Sequence, residues 1–342
     1  MRFIEDQTIP EPIRRAIRAD RYRKELEEHW ESLPSSYGEY RKPGRSFSAS
    51  TLPRAARVMQ LTARHDDEIE VEEGAEGFRL LGRTVHEILE EEMRERGALV
   101  EGRIGHVIGG VYVHGRFDLI DTADRRVDDY KVTSVYSYLK PDKDEYIAQN
   151  NILAWLARKN GIAIDKGRLC YILKDHRARE YQEGGSYPRH MFPTSEVPMW
   201  TDQETEDYIL QRINHHRGSV SLPDDDLPLC TDKERWMDGV DFKAYRLSPD
   251  GLPGERCAHS SKSRMETDDW IAAKVEEARA SYEAKEEKRM SSLKNPGRAK
   301  PPKPFDPPQF TVVEYSPPPP RCGYCDARPF CSQFRQDMLA RE

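Results

Sequence analysis

The sequence predicts an α/β fold: a mixed sheet flanked by helices, with a cysteine-bound region towards the C-terminus. Three observations predict it. Alternating apolar and polar residues mark two strand arms, Val111–Ile120 and Arg126–Val132, joined by a polar tip. Helical spacing of apolar residues marks Gly77–Arg96 before them and Asp142–Asn160 after them. Three cysteines, Cys322, Cys325 and Cys331, crowd the tail.

Length and composition set the frame. At 342 residues the chain can bury a large core as one domain with insertions, or as two. Charged residues make up 34% and AVILMFWYC residues 37%, which predicts extended solvated segments. No apolar run reaches the ~18 residues of a membrane span. MRFIEDQTIPEPIRR holds no apolar signal core, so the expected location is cytoplasmic. The formal charge of −7 means that a nucleic-acid partner needs local basic patches. Six cysteines in a cytosolic chain point to metal or cluster ligands, or core fillers, rather than disulfides. The expected division is a lead-in (1–46), a core (47–220), and a region of insertion, proline-rich linker and cysteines (221–342).

In chain order, the lead-in is helical around Arg14–Trp30. In SFSASTLPRAARV, Ser48 or Ser50 is placed to cap a short helix. Leu81, Val85, Ile88, Leu89 and Met93 form the apolar stripe of the helix Gly77–Arg96, and His86 lies among them. RIGHVIGGVYV predicts a further strand and a tight turn at Gly109-Gly110, giving a three-stranded antiparallel meander. With the next turn centred near Ala123–Asp124, Asp118 lies across from Asp129. Lys131 shares the face of Asp129, because strand side chains alternate with period 2. Cross-strand neighbours have Cβ atoms roughly 5 Å apart. Two carboxylates so placed repel, and a divalent cation relieves that repulsion. A solvated charged strand pair is the other reading of the same residues.

Tyr136 and Tyr138 follow, as stacking platforms for bases or as rings packed on the sheet. The second helix turns Ile147, Ala154 and Leu156 inward and presents Tyr146, Gln149 and Asn150. Lys166–Lys174 is a strand with Cys170 in its apolar centre. Arg158, Lys159, Lys166, Arg168, Lys174, Arg177 and Arg179 form the densest basic region, either a phosphate-contacting rim or a solvated face. Asp202–Gly218 is a closing helix, Glu266–Leu293 an exposed charged one, and Asn295–Pro320 an extended linker. The tail cysteines need a fourth ligand. Cys230 is the first choice and Cys257 the second, and the centre is an iron–sulfur cluster or zinc.

Asp118, followed by Asp129-Tyr130-Lys131, resembles the D…(D/E)-x-K signature of the PD-(D/E)XK nuclease superfamily. GRTVHEILEE resembles the G-x-x-x-H motif of its RecB-type members, and EYIAQNNILAWLA their Q-x-x-x-Y motif. Gln149 matches that motif, whereas Leu153 stands where the tyrosine would be. The C-x2-C-x5-C tail is similar to that of the AddB-type helicase–nuclease subunit and of CRISPR-associated exonucleases. PLCTDKERW around Cys230 looks like phage-encoded members, in which the first cluster ligand follows the core. In the other families that ligand precedes the core.

The resemblance implies a restriction-endonuclease-like fold and a Mg2+- or Mn2+-dependent deoxyribonuclease, in the form of an exonuclease. It implies metal held by His86, Asp118, Asp129 and the Tyr130 carbonyl, and catalysis by Asp118, Asp129, Lys131 and Gln149. A 4Fe–4S cluster falls on Cys230, Cys322, Cys325 and Cys331, with Zn2+ as the alternative. The implied partner is DNA, single-stranded or with free ends, together with a helicase or recombination protein; Tyr136, Tyr138 and Arg177, by their own chemistry, are the candidate contacts to it. The competing functions are a non-catalytic DNA-binding subunit and a zinc-stabilised scaffold protein.

Overall fold

The computed structural model describes residues 2–5, 7–18, 21–42, 44–95, 98–140, 143–237, 239–291 and 303–339. The chain divides into two units. The first comprises Met1–Cys230 and Cys325–Gln336, the second Thr231–Tyr324 and Asp337–Glu342.

The first unit begins with β1 (Arg2–Ile4), α1 (Glu11–Arg18), α2 (Arg21–Ser32), β2 (Ser46–Ser48), α3 (Ala56–Arg64) and β3 (Glu70–Glu72). Next come α4 (Gly77–Glu95), β4 (Leu99–Val100), β5 (Arg103–Ile108), β6 (Val111–Arg116), β7 (Leu119–Asp121) and β8 (Arg126–Thr133). The series closes with α5 (Val135–Leu139), α6 (Asp144–Lys159), β9 (Lys166–Leu173), β10 (Thr194–Glu196) and α7 (Asp202–Ser219). A five-stranded sheet has the order β10-β9-β8-β7-β4. It is mixed, since β8 and β9 run parallel and the other pairs antiparallel. Parallel neighbours need a long crossover, and α6 provides it. A second sheet, β2-β6-β5, is also mixed. The α/β class with mixed sheets and flanking helices is therefore as predicted.

α6 is the spine of the core. Ala148 and the run Asn150–Ala157 are buried. Ile152, Leu153 and Leu156 pack with Leu52, Val113 and Ile120. Each such side chain contributes about 1.5–3 kcal/mol on burial. Asn150, expected on the polar side, is fully buried within this run.

Several sequence expectations are corrected. The arm Val111–Ile120 is not one strand, because it breaks at Phe117–Asp118. The Phe117 ring folds over Gly102, where even a Cβ would lie 2.4 Å from it, and the chain leaves one sheet for the other. The meander is thus split: β5 and β6 pair in one sheet, β7 and β8 in the other. Gly109-Gly110 does make the tight turn, with φ of +55° and +67°. Neither Ser48 nor Ser50 caps a helix; Ser48 forms a turn by accepting from Thr51 N at 3.2 Å, and α3 begins only at Ala56, after Ala55. The stripe on α4 is half-buried at best, with Ile88 63% exposed. Tyr136 and Tyr138 lie on the short helix α5, capped by Ser134.

The second unit contains β11 (Asp241–Leu247), β12 (Pro253–Ser261), α8 (Arg264–Ser291) and β13 (Phe310–Tyr315). Its antiparallel sheet has the order β12-β11-β13. α8 packs on it through Thr267, whose hydroxyl donates to Phe242 O at 3.3 Å, and through Trp270, stacked on His259 at 4.8 Å. The expected linker is therefore a strand in its second half, since FTVVEY carries β-branched and aromatic residues. Its first part, to residue 302, lies outside the described residues. The last helix is α9 (Ser332–Leu339). No helix of the described residues is long and apolar enough to cross a membrane.

Candidate active site

The β7–β8 hairpin sets the site. Leu119 pairs with Asp128 and Asp121 with Arg126, so the register carried one step further puts Asp118 opposite Asp129. The tip is fixed by Asp121, whose Oδ1 accepts from Ala123 N at 3.1 Å and Asp124 N at 2.9 Å. Asp118 is locked by Tyr130 N, which donates to its Oδ2 at 2.7 Å.

On the Asp129 side a closed hydrogen-bonded ring forms. Lys131 Nζ lies 2.9 and 2.8 Å from the two Asp129 oxygens. Gln149 Nε2 donates to Asp129 Oδ1 at 3.2 Å, and Lys131 Nζ donates to Gln149 Oε1 at 3.3 Å. Lys131 Nζ also lies 5.0 Å from the centroid of the Tyr146 ring. Tyr146 and Gln149 are three apart on α6 and share one face. Leu153, in contrast, is in the core, where its Cδ2 would be 2.5 Å from a Cβ on Gly115. A large ring there would have to displace the neighbouring strand.

On the Asp118 side, His86 reaches in from α4. Its Nδ1 lies 3.4 Å from Asp118 Oδ1 and 3.4 Å from Glu101 Oε1. The ligand atoms of His86, Glu101 and Asp118 all fall within 4.8 Å of one another. Glu101 was not singled out from the sequence. It sits between β4 and β5 with φ of +49°, its N–H donates to Asp118 O at 3.1 Å, and its carboxylate pairs with Arg116. One glutamate among 61 acidic residues gives no sequence signal, and the tertiary fold alone brings it in.

The electrostatics follow from burial. Burial pushes the Asp129 carboxyl up to about 6; Lys131 opposes this and Asp118 adds to it. Burial acts in the same direction on Asp118, but the His86 hydrogen bond and the charges of His86 and Lys131 outweigh it and hold Asp118 low. Burial disfavours the His86 imidazolium, yet Asp118 and Glu101 raise it to about 10. Lys131 is also raised: burial opposes its charge, and Asp129 and Asp118 more than offset that. Once its proton is given up, the His86 imidazole joins the neighbouring carboxylates in a donor set that suits Mg2+ or Mn2+, and a bound cation would take the place of that proton between Asp118 and Glu101. Tyr130 lies beside them, its ring edge-on to His86 at 6.4 Å.

The DNA-contact candidates differ in exposure. Tyr136 is exposed, while Tyr138 packs against Tyr171 at 5.0 Å. Arg177 is exposed and pairs with Glu180 at 3.3 Å. Much of the basic rim is already neutralised: Arg158 by Asp202, Lys159 by Glu206, Lys166 by Asp124 and Arg168 by Asp128.

The cysteines divide between the units. Cys170 is buried on β9, and burial pushes its thiol up to about 11. Cys257 is exposed on β12, its Sγ donating to His259 O. Cys322 also belongs to the second unit. In the first unit, Cys325 and Cys331 pack against Leu61, Leu227 and Ala327. Cys230 is clamped by Gln333, which accepts from Cys230 N and donates to Cys230 O, both at 2.9 Å. Buried Arg57, also missed from sequence, donates to Asp225 O at 3.1 Å, Leu227 O at 2.6 Å, Pro228 O at 3.3 Å and Ser332 Oγ at 3.2 Å. It thereby ties the Cys230 loop and α9 to α3.

No family model matches the chain, and no curated protein matches it. Among solved structures, the crystal structure of SSO0001 is similar at 19% identity, over 56% of this chain and 82% of that one, with a TM-score of 0.38. A phage-related exonuclease from Haemophilus somnus 129PT is similar at 15% identity, over 46% of this chain and 68% of that one, with a TM-score of 0.23. Likeness this slight assigns no function, and the site residues themselves must carry one.

Proposed function

We propose that the chain is a divalent-metal-dependent DNA nuclease acting as an exonuclease. The supporting observation is the register that sets Asp118 opposite Asp129, with Lys131 on the Asp129 side and His86 and Glu101 on the Asp118 side. Mg2+ or Mn2+ would be held by His86, Glu101 and Asp118, with Asp129 alongside. Bound there, the ion would lower the pKa of water and offset charge on the phosphate. Lys131 is kept charged by Asp129 and Asp118, and Asp129 and Gln149 fix its direction. A fixed ammonium orients the attacking water and stabilises the negative charge that develops on the phosphoryl oxygens.

The same reading assigns Cys230, Cys322, Cys325 and Cys331 to a structural 4Fe–4S cluster. The clamping of Cys230 by Gln333, two residues past Cys331, favours it over Cys257 as the fourth ligand. Metal binding and folding are coupled in such sites, so the cluster would stabilise the tail. Zinc is the rival centre.

The test is cleavage of end-labelled single- and double-stranded DNA with Mg2+, Mn2+ or EDTA. Metal-dependent shortening from an end is expected. Binding without cleavage under every metal would identify a DNA-binding subunit instead. In anaerobic protein made with ample iron and sulfur, iron and sulfide are expected, and replacing Cys230 by alanine should remove them. Stoichiometric zinc without iron would overturn the cluster and leave the nuclease reading intact.

A further inference from the structure

The second unit has a cleft of its own. A cavity of about 510 Å³ opens between α8, β11 and the segment leading into β13. Ligand pockets run from ~300 to 1,000 Å³, so this one is roomy enough for a nucleotide. Its walls combine two features.

The first is cationic charge without acidic partners. Arg246 on β11 and Lys285 on α8 both line the cleft and are exposed. Among the described residues neither makes an ion pair, whereas Lys274 beside them is held by Glu277 at 2.6 Å. One further acid, Asp306, lies on the wall.

The second is a set of aromatic rings. Tyr282 and Phe305 lie 5.5 Å apart, and Phe310 lines the same space. These rings are fixed by their surroundings. The Tyr282 hydroxyl donates to Lys303 O at 2.5 Å, the Arg279 guanidinium sits 5.4 Å from the Phe305 centroid, and Phe310 is edge-on to Trp270 at 5.5 Å. Fixed rings cost little entropy when a flat ligand stacks on them.

We infer that this cleft binds single-stranded nucleic acid, with Tyr282 and Phe305 stacking a base and Arg246 and Lys285 contacting the flanking phosphates. Rings alone would suit any apolar group, and cations alone any anion. A nucleic-acid strand presents both groups side by side and repeats them along its length, so it can lie along an open cleft lined by rings and cations. Stacking is worth about 1–3 kcal/mol per base and tolerates any sequence. The inference stands apart from the cleavage chemistry, because the cleft belongs wholly to the second unit.

The test uses the full chain in EDTA, so that binding is read without cleavage. The probe is fluorescein-labelled oligo-dT, followed by anisotropy over a salt series. Each phosphate contact contributes about 0.7 to the log–log salt slope of a single strand. Replacing Arg246 and Lys285 together by glutamine should weaken binding roughly 5- to 10-fold and lower that slope by about 1.4. Both side chains are exposed, so the variant should unfold at the wild-type temperature. Photo-crosslinking with 5-iodouracil in the probe should label Tyr282 or Phe305. An unchanged salt slope together with crosslinks confined to the first unit would overturn the inference. So would labelled oligo-glutamate binding that depends on Arg246 and Lys285 while oligo-dT binding does not.

Discussion

The two faces of β8 carry neighbouring carboxylates that read alike in sequence and behave differently in the fold. Asp128 and Asp129 are both buried. On one face, Asp128 is gripped by Arg168 at 2.5 and 3.0 Å and by Arg126 at 2.8 Å. Its charge is satisfied, and both arginines come from the strands that it joins. On the other face, Asp129 meets one lysine, one amide and a second carboxylate. Burial leaves it with a raised pKa, poised rather than neutralised. The difference teaches that charge alone does not mark a functional acid. The ratio of cations to carboxylates around it does.

The largest test of this comparison exchanges each acid for its isosteric amide. Asp129→Asn should cut the cleavage rate by about a thousandfold or more, roughly 4 kcal/mol of transition-state stabilisation. Asparagine is preferable to alanine here, because Asp129 is buried and a cavity would confuse the outcome. Asp128→Asn should leave the rate per folded molecule within about threefold but lower stability by about 2–3 kcal/mol in urea. That is less than the 3–5 kcal/mol of a fully buried broken pair, since Arg126 and Arg168 retain contact with water. If Asp128→Asn kills cleavage at full stability, the two faces have been assigned the wrong way round.

Stability against pH sharpens the same contrast. In the metal-free chain Asp129 is raised from 3.8 to about 6. The folded state therefore binds this proton more tightly than the unfolded state does. The stability it contributes is full below about pH 4 and is lost as pH rises through about 6. On the order of 2–3 kcal/mol is at stake. Urea unfolding in EDTA should show this fall as a difference: the wild type and Asp128→Asn should each lose stability relative to Asp129→Asn as pH rises from about 4 to about 6, because the groups common to all three cancel. Parallel profiles for all three would assign the titration to another group.

How much of this was legible depends on how local each signal is. The α/β class, the spans of α4, α6, α7 and β9, and the hairpin register all follow from periodicity and turn chemistry. These act over a few residues. The break at Phe117–Asp118 did not follow, because alternation continues through it while the strands on either side belong to different sheets. The β11–β12 hairpin had a signal that went unread: DFKAYRL alternates, and Ser248-Pro249-Asp250-Gly251 is a turn with φ of +77° at its glycine. Glu101 had none, for its place beside His86 depends on how β4 and α4 pack. Preference for Asp129 over Asp128 followed from the same local signals, since a turn centred near Ala123–Asp124 sets Asp118 across from Asp129 and period 2 puts Lys131 on that face.

Glu101 extends the comparison to the far end of the site. If His86, Glu101 and Asp118 form the cation-binding set, Glu101→Gln should raise the Mg2+ concentration needed for half-maximal cleavage by about 10- to 100-fold. The rate at saturating metal should fall much less. Arg116 would lose this ion pair as well, so Arg116→Gln serves as the control. It removes the ion pair and keeps the carboxylate at the site, and its metal requirement should stay near the wild-type value. A shift in Arg116→Gln as large as that in Glu101→Gln would make Glu101 a structural acid, like Asp128.

The smallest effect tests how finely the Asp129 face is built. Resemblance called for a ring four residues after Gln149, and Leu153 occupies that place in the core. Tyr146 brings a ring to the same lysine from three residues before Gln149, with Lys131 Nζ 5.0 Å from its centroid. The helix makes the exchange natural, because positions −3 and +4 both lie near the face of Gln149. A cation over a ring at a partly buried site is worth about 1 kcal/mol, or roughly fivefold in rate if it steadies Lys131 in the transition state. Tyr146→Leu should therefore slow cleavage about fivefold with the metal requirement unchanged, and Tyr146→Phe should restore the rate because the ring rather than the hydroxyl meets the ammonium. If phenylalanine is as slow as leucine, the hydroxyl is the working group. If leucine is as fast as the wild type, Asp129 and Gln149 hold Lys131 without help, and the ring belongs to the packing around Leu169 and Tyr171 alone.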